Sequence, residues 1–207
     1  KPIGTVVTSK KSLEIEMSKA PPFPSPKIDL EQYVTPPELA SAVLWNAYLS
    51  GHINGKIVAD FGCGTGIFCR GAELLGAEEC LCLELDYDAL MTARGYLERA
   101  EALNADVISS PLRIVDVIVM NPPFGTQRKG IDKEFLLEAF RLARIAVYSI
   151  HLSSSSTIRL FSKLAQQFGF TAEIVTVNYR MKREYAWHRK RFHEMPTDVY
   201  KFVRMIP

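Results

Sequence analysis

Four residues, Asn121-Pro122-Pro123-Phe124, carry the strongest chemical signal in the sequence. Two prolines hold the turn stiff, so the Asn121 amide oxygen and the Pro122 carbonyl are acceptors aimed at one point. Two converging acceptors suit an NH₂ group, which offers two donors. Phe124 adds a flat face on which a planar group stacks. The chemistry this implies is methylation of an exocyclic or amide nitrogen. Such a nitrogen is a poor nucleophile because its lone pair is delocalised, and two acceptors pulling on its hydrogens favour a localised pair. The rest is in-line positioning and electrostatics. By itself an Asn-Pro-Pro turn reads equally well as the plain end of a strand.

The element that must position Asn121 is the apolar, β-branched run Val115–Met120, a buried strand stopped by the prolines. That places the asparagine at a strand's carboxyl end, where open α/β sheets bind ligands. A second βα unit supplies a cradle. Ile57–Phe61 reads as a strand, Gly62-Cys63-Gly64-Thr65-Gly66 as a turn, and Ile67 to Leu75 as a helix. The spacing is GxGxG, with Asp60 two residues before the first glycine. A carboxylate there suits the amino-acid end of S-adenosylmethionine better than a pyrophosphate. Cys80 to Glu84 is the next strand. Glu84 at its end is placed for two ribose hydroxyls, while Asp86 caps the following helix, expected over Ala89 to Glu101. Ala105–Ile108 is expected as a short third strand, with Asp106 in reach of a cofactor's adenine.

Alternating strands and helices make this an α/β chain with a doubly wound sheet. Thr35, Pro36 and Glu38 have the spacing of a capping box for a helix running to Tyr48, with Leu39, Val43, Leu44 and Ala47 inward. Beyond the motif, Gly125–Gly130 is a glycine-flanked loop whose Arg128 and Lys129 lie beside the site. Asp132 is expected to cap a helix over Phe135–Ala143. Ala146–Ile150 is the next strand, and residues 172–178 and 199–205 alternate as an antiparallel edge. Between those two lies Tyr179–Pro196. Its Lys182, Arg183, Trp187, His188, Arg189, Lys190 and Arg191 interleave cations with rings, as a single-stranded nucleic-acid surface does. An aromatic-packed hairpin loop is the plainer reading.

The chain has 207 residues, 47% hydrophobic and 23% charged, enough for one domain with a proper core. Its formal charge of +2 hides an asymmetry. Residues 179–207 hold eight Lys and Arg against three Asp and Glu, a local +5 that leaves −3 elsewhere. A basic tail points to a phosphate-bearing partner. No run is long enough to span a membrane. Cys63, Cys69, Cys80 and Cys82 form no CxxC pair, so no metal site is expected, and free thiols without a signal peptide indicate a reducing, cytoplasmic setting. Residues 1–27 read as a peripheral extension, a short helix at Lys10–Lys19 followed by a proline-rich linker, and residues 28–207 as the domain.

Taken together, these features resemble the S-adenosylmethionine-dependent N-methyltransferases. Leu30-Glu31-Gln32-Tyr33-x-Thr35, Asn121-Pro122-Pro123-Phe124-Gly125-Thr126 and Ala146–His151 with the late basic segment are similar to the methyltransferase-like protein five family. The resemblance implies a Rossmann-like sheet of seven strands with helices on both faces. It implies methylation of adenosine N6 in small-subunit ribosomal RNA, with S-adenosylmethionine as cofactor. Gln32, Thr35, the Asp60–Gly66 loop (Asp60, Gly62, Cys63, Gly64, Thr65 and Gly66), Glu84, Asp106 and Asn121 would face the cofactor, and Asn121, Pro122, Pro123 and Phe124 the target base. It further implies a small zinc-bearing activator protein at the third strand. Two other classes compete: a protein methylase acting on a release-factor glutamine amide, and a non-catalytic RNA-binding module that keeps a cofactor pocket. A NAD(P)-dependent oxidoreductase is disfavoured by the GxGxG spacing.

Overall fold

The computed structural model describes residues 7–182 and 192–206, with side chains described for 7–178 and 196–206. The elements run α1 (Lys10–Met17), α2 (Pro37–Leu49), β1 (Ile57–Phe61), α3 (Ile67–Leu74), β2 (Glu79–Glu84), α4 (Tyr87–Tyr96), β3 (Glu101–Asn104), β4 (Val115–Met120), α5 (Ile131–Leu142), β5 (Ala143–Leu152), α6 (Ser155–Gln167), β6 (Phe170–Lys182) and β7 (Phe192–Arg204). Seven strands form one sheet in the order β3-β2-β1-β4-β5-β7-β6. The first five in that order are parallel, and β7 runs antiparallel between β5 and β6.

Strand alternation explains the layering. Val58, Val117, Val119, Ala146 and Tyr148 face a core shared with α1, α2 and α3. Their neighbours Ala59, Phe61, Ile118, Met120 and Val147 face a second core with α5 and α6. A strand buried on both faces reads as a continuous apolar run, and β4 is buried at all six positions. Strand order reverses between β1 and β4, where Phe61 pairs with Met120 and, on the other side, with Leu83. Gly62, Glu84 and Asn121 therefore each follow the last residue of a neighbouring strand or end it, at one edge of the sheet.

The β6–β7 pairing sets the shape of the basic segment's base. β5 pairs with β7 only as far as Leu152 with Thr197, whereas β6 and β7 stay paired out to Lys182 with Phe192. A two-stranded ribbon thus projects past the carboxyl end of β5, the same edge that carries Asn121. Arg183, Trp187, His188, Arg189, Lys190 and Arg191 lie outside the described residues.

Several local expectations are corrected. Residues 7–27 are not peripheral: Leu13 and Met17 are fully buried in the first core. Pro36, not Thr35, is the N-cap of α2, and it makes no side-chain cap bond. Thr35 turns inward instead, where its hydroxyl accepts from the half-buried Asn121 amide. The third strand lies earlier, at Glu101–Asn104, because those residues pair in register with Leu81–Glu84. Asp106 starts a 3-10 turn, Val107–Ser109, and accepts from the Ile108 amide. α4 stops at Tyr96 rather than Glu101. Gly130, in a left-handed conformation, precedes α5, and Asp132 sits within its first turn. The four thiols are not all free, since Cys69 of α3 and Cys82 of β2 are joined by a disulfide. No helix among the described residues is long and apolar enough to cross a membrane.

Candidate active site

A pocket opens at the carboxyl ends of β1, β2 and β4. Gly62, Cys63, Gly64 and Thr65 form its floor, Glu84 and Asp106 one wall, and Asn121, Pro123 and Arg128 the other. The backbone is left-handed at Gly62 (φ 71°), Gly64 (φ 55°) and Gly66 (φ 98°), a conformation that favours glycine. Gly66 does not line the pocket; it lets α3 start close against Ala93 and Leu97. Glu84 is buried and already engaged, with Oε2 accepting from the Gly64 amide at 2.8 Å and Oε1 from the Asp86 amide at 3.1 Å. Burial pushes its carboxyl up from the usual range. Asp60 lies beneath the turn rather than in the pocket wall. Its Oδ2 is buried without a hydrogen-bond partner, and burial together with the neighbouring Glu84 raises its pKa well above the usual value. A buried carboxyl oxygen without a donor fits a cationic group, as the amino-acid end of S-adenosylmethionine presents. The Cys63 thiol is pushed up by the same burial and the same two acids, so it stays protonated.

The roof comes from residues 21–35, which the sequence reading left mostly without roles. Thr65 Oγ1 donates to the Pro21 carbonyl at 2.6 Å. The Phe23 ring lies so close over Gly64 that a Cβ there would stand 2.8 Å from its Cζ. Gln32 is buried and acts as a strut, donating from Nε2 to Asp86 Oδ2 and accepting the Lys27 amide, both at 2.8 Å. Asp86 also pairs with Lys27 Nζ and caps α4 through the Asp88 amide. Gln32 and Thr35 line the pocket, as do Glu31 and Tyr33. The pocket volume is about 180 Å³.

Asn121 is held at both ends of its amide. Nδ2 donates to Thr35 Oγ1 at 3.0 Å, and Oδ1 accepts from the Tyr33 hydroxyl at 3.1 Å. Burial pushes the Tyr33 phenol well up, so it remains a donor. The Tyr33 and Phe124 rings stand 5.9 Å apart, tilted by 45°. Glu31 ties down the loop beyond: its carboxylate accepts from the Gly125 amide (3.1 Å), the Thr126 amide (3.4 Å) and the Thr126 hydroxyl (2.6 Å). Glu31, Tyr33 and Thr35 thus all reach the motif segment from alternate positions of one stretch. Pro122 is buried, while Phe124 and exposed Lys129 lie at the rim of the site rather than in the pocket lining. Arg128 reaches the pocket and pairs with Glu134 at 2.9 Å.

Comparison with known proteins agrees with this geometry. The family model described as "Methyltransferase small domain" matches residues 38–178. The rRNA N(6)-adenosine-methyltransferase METTL5 of Danio rerio is 36% identical over 204 residues, covering 93% of this chain and 98% of that protein. The corresponding Mettl5 of Drosophila melanogaster is 36% identical over 193 residues, covering 87% and 89%. A candidate RNA methyltransferase from Pyrococcus horikoshii superposes with a TM-score of 0.87 at 40% identity, over 97% of this chain and 100% of that one. The chain therefore belongs to the methyltransferase small domain family, together with the METTL5 proteins, and is an S-adenosylmethionine-dependent methyltransferase.

Proposed function

We propose that the protein methylates N6 of an adenosine in ribosomal RNA, in the small subunit. The observation that carries this reading is Asn121, set at the carboxyl end of β4 beside the glycine turn of β1 and lining the pocket, its amide nitrogen committed to Thr35 and its oxygen accepting from Tyr33. The names of the relatives support an RNA adenosine as acceptor. Gln32, Thr35, Asp60, Gly62, Cys63, Gly64, Thr65, Gly66, Glu84, Asp106 and Asn121 hold or shape the cofactor site, with Asp60 toward the amino group, Glu84 toward the ribose and Asp106 toward the adenine. Bound S-adenosylmethionine supplies an electrophilic methyl group on a sulfonium. Asn121 Oδ1 and the Pro122 carbonyl accept from the N6 amino group, and Pro123 keeps that turn rigid. Phe124 stacks on an unpaired or flipped base. With the cofactor held there, the methyl group would pass in line from the sulfonium to N6 as the sulfur–methyl bond broke, and the surplus N6 proton would leave to water. No strong base is needed in the site.

Arg128, Lys129, Lys182, Arg183, Trp187, His188, Arg189, Lys190 and Arg191 grip the RNA. The exposed edge of β3 is the place for a small zinc-bearing activator protein, and the setting is cytoplasmic. The test is transfer of labelled methyl to small-subunit RNA lacking its native modifications, followed by nucleoside digestion. Label in N6-methyladenosine at one position is the expected result. Label absent with RNA but present on a release-factor glutamine would move the assignment to a protein amide. Asn121→Ala is expected to abolish transfer while cofactor binding persists; equal loss of both would contradict the roles given.

A further inference from the structure

We infer that Tyr33 is a positioning residue for methyl transfer, acting through Asn121. The inference rests on the reading of Asn121 as the acceptor of the substrate amine. An amide side chain can present oxygen or nitrogen to a site, and only its partners decide which. Here Thr35 Oγ1 takes the Nδ2 hydrogen at 3.0 Å, and the Tyr33 hydroxyl, 3.1 Å away, donates to Oδ1. The two contacts, bonded in this sense, hold the amide plane and its tilt. Oδ1 has two lone pairs, so one stays with Tyr33 while the other accepts from an incoming amine. Tyr33 neither gives nor takes a proton in the reaction; it keeps the second lone pair aimed.

A separate feature shows that this stretch is built for the motif. Glu31 is the one non-glycine residue among those described with a positive φ, 51°. A strained conformation persists where surrounding contacts over-determine it. The contacts here are the three bonds from the Glu31 carboxylate to Gly125 and Thr126, just past Phe124. The stretch therefore fixes the motif loop at both ends, Asn121 by Tyr33 and Thr35, and Gly125–Thr126 by Glu31.

Tyr33→Phe in the full chain tests the inference, because it keeps the ring against Phe124 and removes only the hydroxyl. The expected result is a single-turnover rate lowered about tenfold, with KM for RNA, affinity for S-adenosylmethionine and Tm essentially unchanged. On an Asn121→Ser background with residual activity, the same substitution should have no further effect. A rate within twofold of wild type overturns the inference, as does a loss expressed only in cofactor affinity or one that adds fully to Asn121→Ser. The wild-type arm separates the two readings. If wild type makes N6-methyladenosine and Tyr33→Phe matches it, only the role of Tyr33 fails. If wild type labels neither an RNA base nor a glutamine amide, the reading of Asn121 fails and this inference with it.

Discussion

Replacing Gly64 with Ala tests whether the N-terminal stretch is part of the site. Two penalties follow from the geometry. Gly64 has φ 55°, and an L-residue held there costs about 1–2 kcal/mol. The new Cβ also meets Phe23 Cζ at 2.8 Å, closer than carbon atoms tolerate. The ring must leave its buried place, which forfeits about 1.5–3 kcal/mol. Together the loss is about 2.5–5 kcal/mol, which for a chain of this size lowers Tm by about 10 °C. On a Phe23→Ala background only the backbone strain remains. The two substitutions then fall short of additivity by about 1.5–3 kcal/mol in a double-mutant cycle read by urea unfolding. Additivity to within about 0.5 kcal/mol would mean that Phe23 does not sit on the glycine turn and that the roof of the pocket is wrongly placed.

Three further outcomes are expected. Replacing Arg189, Lys190 and Arg191 with Ala should weaken RNA binding and reduce the slope of log K against log salt by about 2; an unchanged slope removes the segment from the interface. Cys69 and Cys82 are 13 residues apart in sequence, so their bond contributes about 3 kcal/mol by the chain-entropy account. Unfolding after reduction should show a Tm lower by about 6–12 °C, and an unchanged Tm would count against the bond. Burial holds His151 below its ordinary pKa despite the nearby Asp132. Its contribution to stability is therefore complete above about pH 6.5 and is lost as pH falls through the lowered value. His151→Asn should flatten the decline of Tm between pH 7 and 5 relative to wild type, and an identical decline would refute that role.

Much of the site was legible because its signals are local. A β-branched run that ends on two prolines specifies where Asn121 stands, and glycines with an acid two residues before them specify the turn under a ligand. Alternation predicted the antiparallel edge. The thin stretch between α4 and β4 was misread because four residues of edge strand, Glu101–Asn104, have little pattern of their own and are defined by pairing with β2. The helix at Lys10–Met17 was expected, yet its burial was not: an eight-residue amphipathic helix beside a proline-rich linker looks peripheral until Gly71 leaves room for Met17 and Leu44 against α3.

What the sequence determined by itself was chemical identity and order. Asn121, Glu84, Asp60 and the glycines were fixed at or beside strand ends, because strand ends and tight turns are written in neighbouring residue types. Tertiary structure alone decided how these groups are occupied and aimed. Thr35 read as a helix cap, and only the approach of β4 from 86 residues away gave its hydroxyl an amide to accept. Tyr33 and Glu31 read as motif letters without tasks, because their partners lie 88 and 94 residues along the chain. Side-chain hydrogen bonds over such separations leave no local pattern. They exist because the sheet brings the carboxyl end of β4 beneath the N-terminal stretch, where a buried polar group must find a partner.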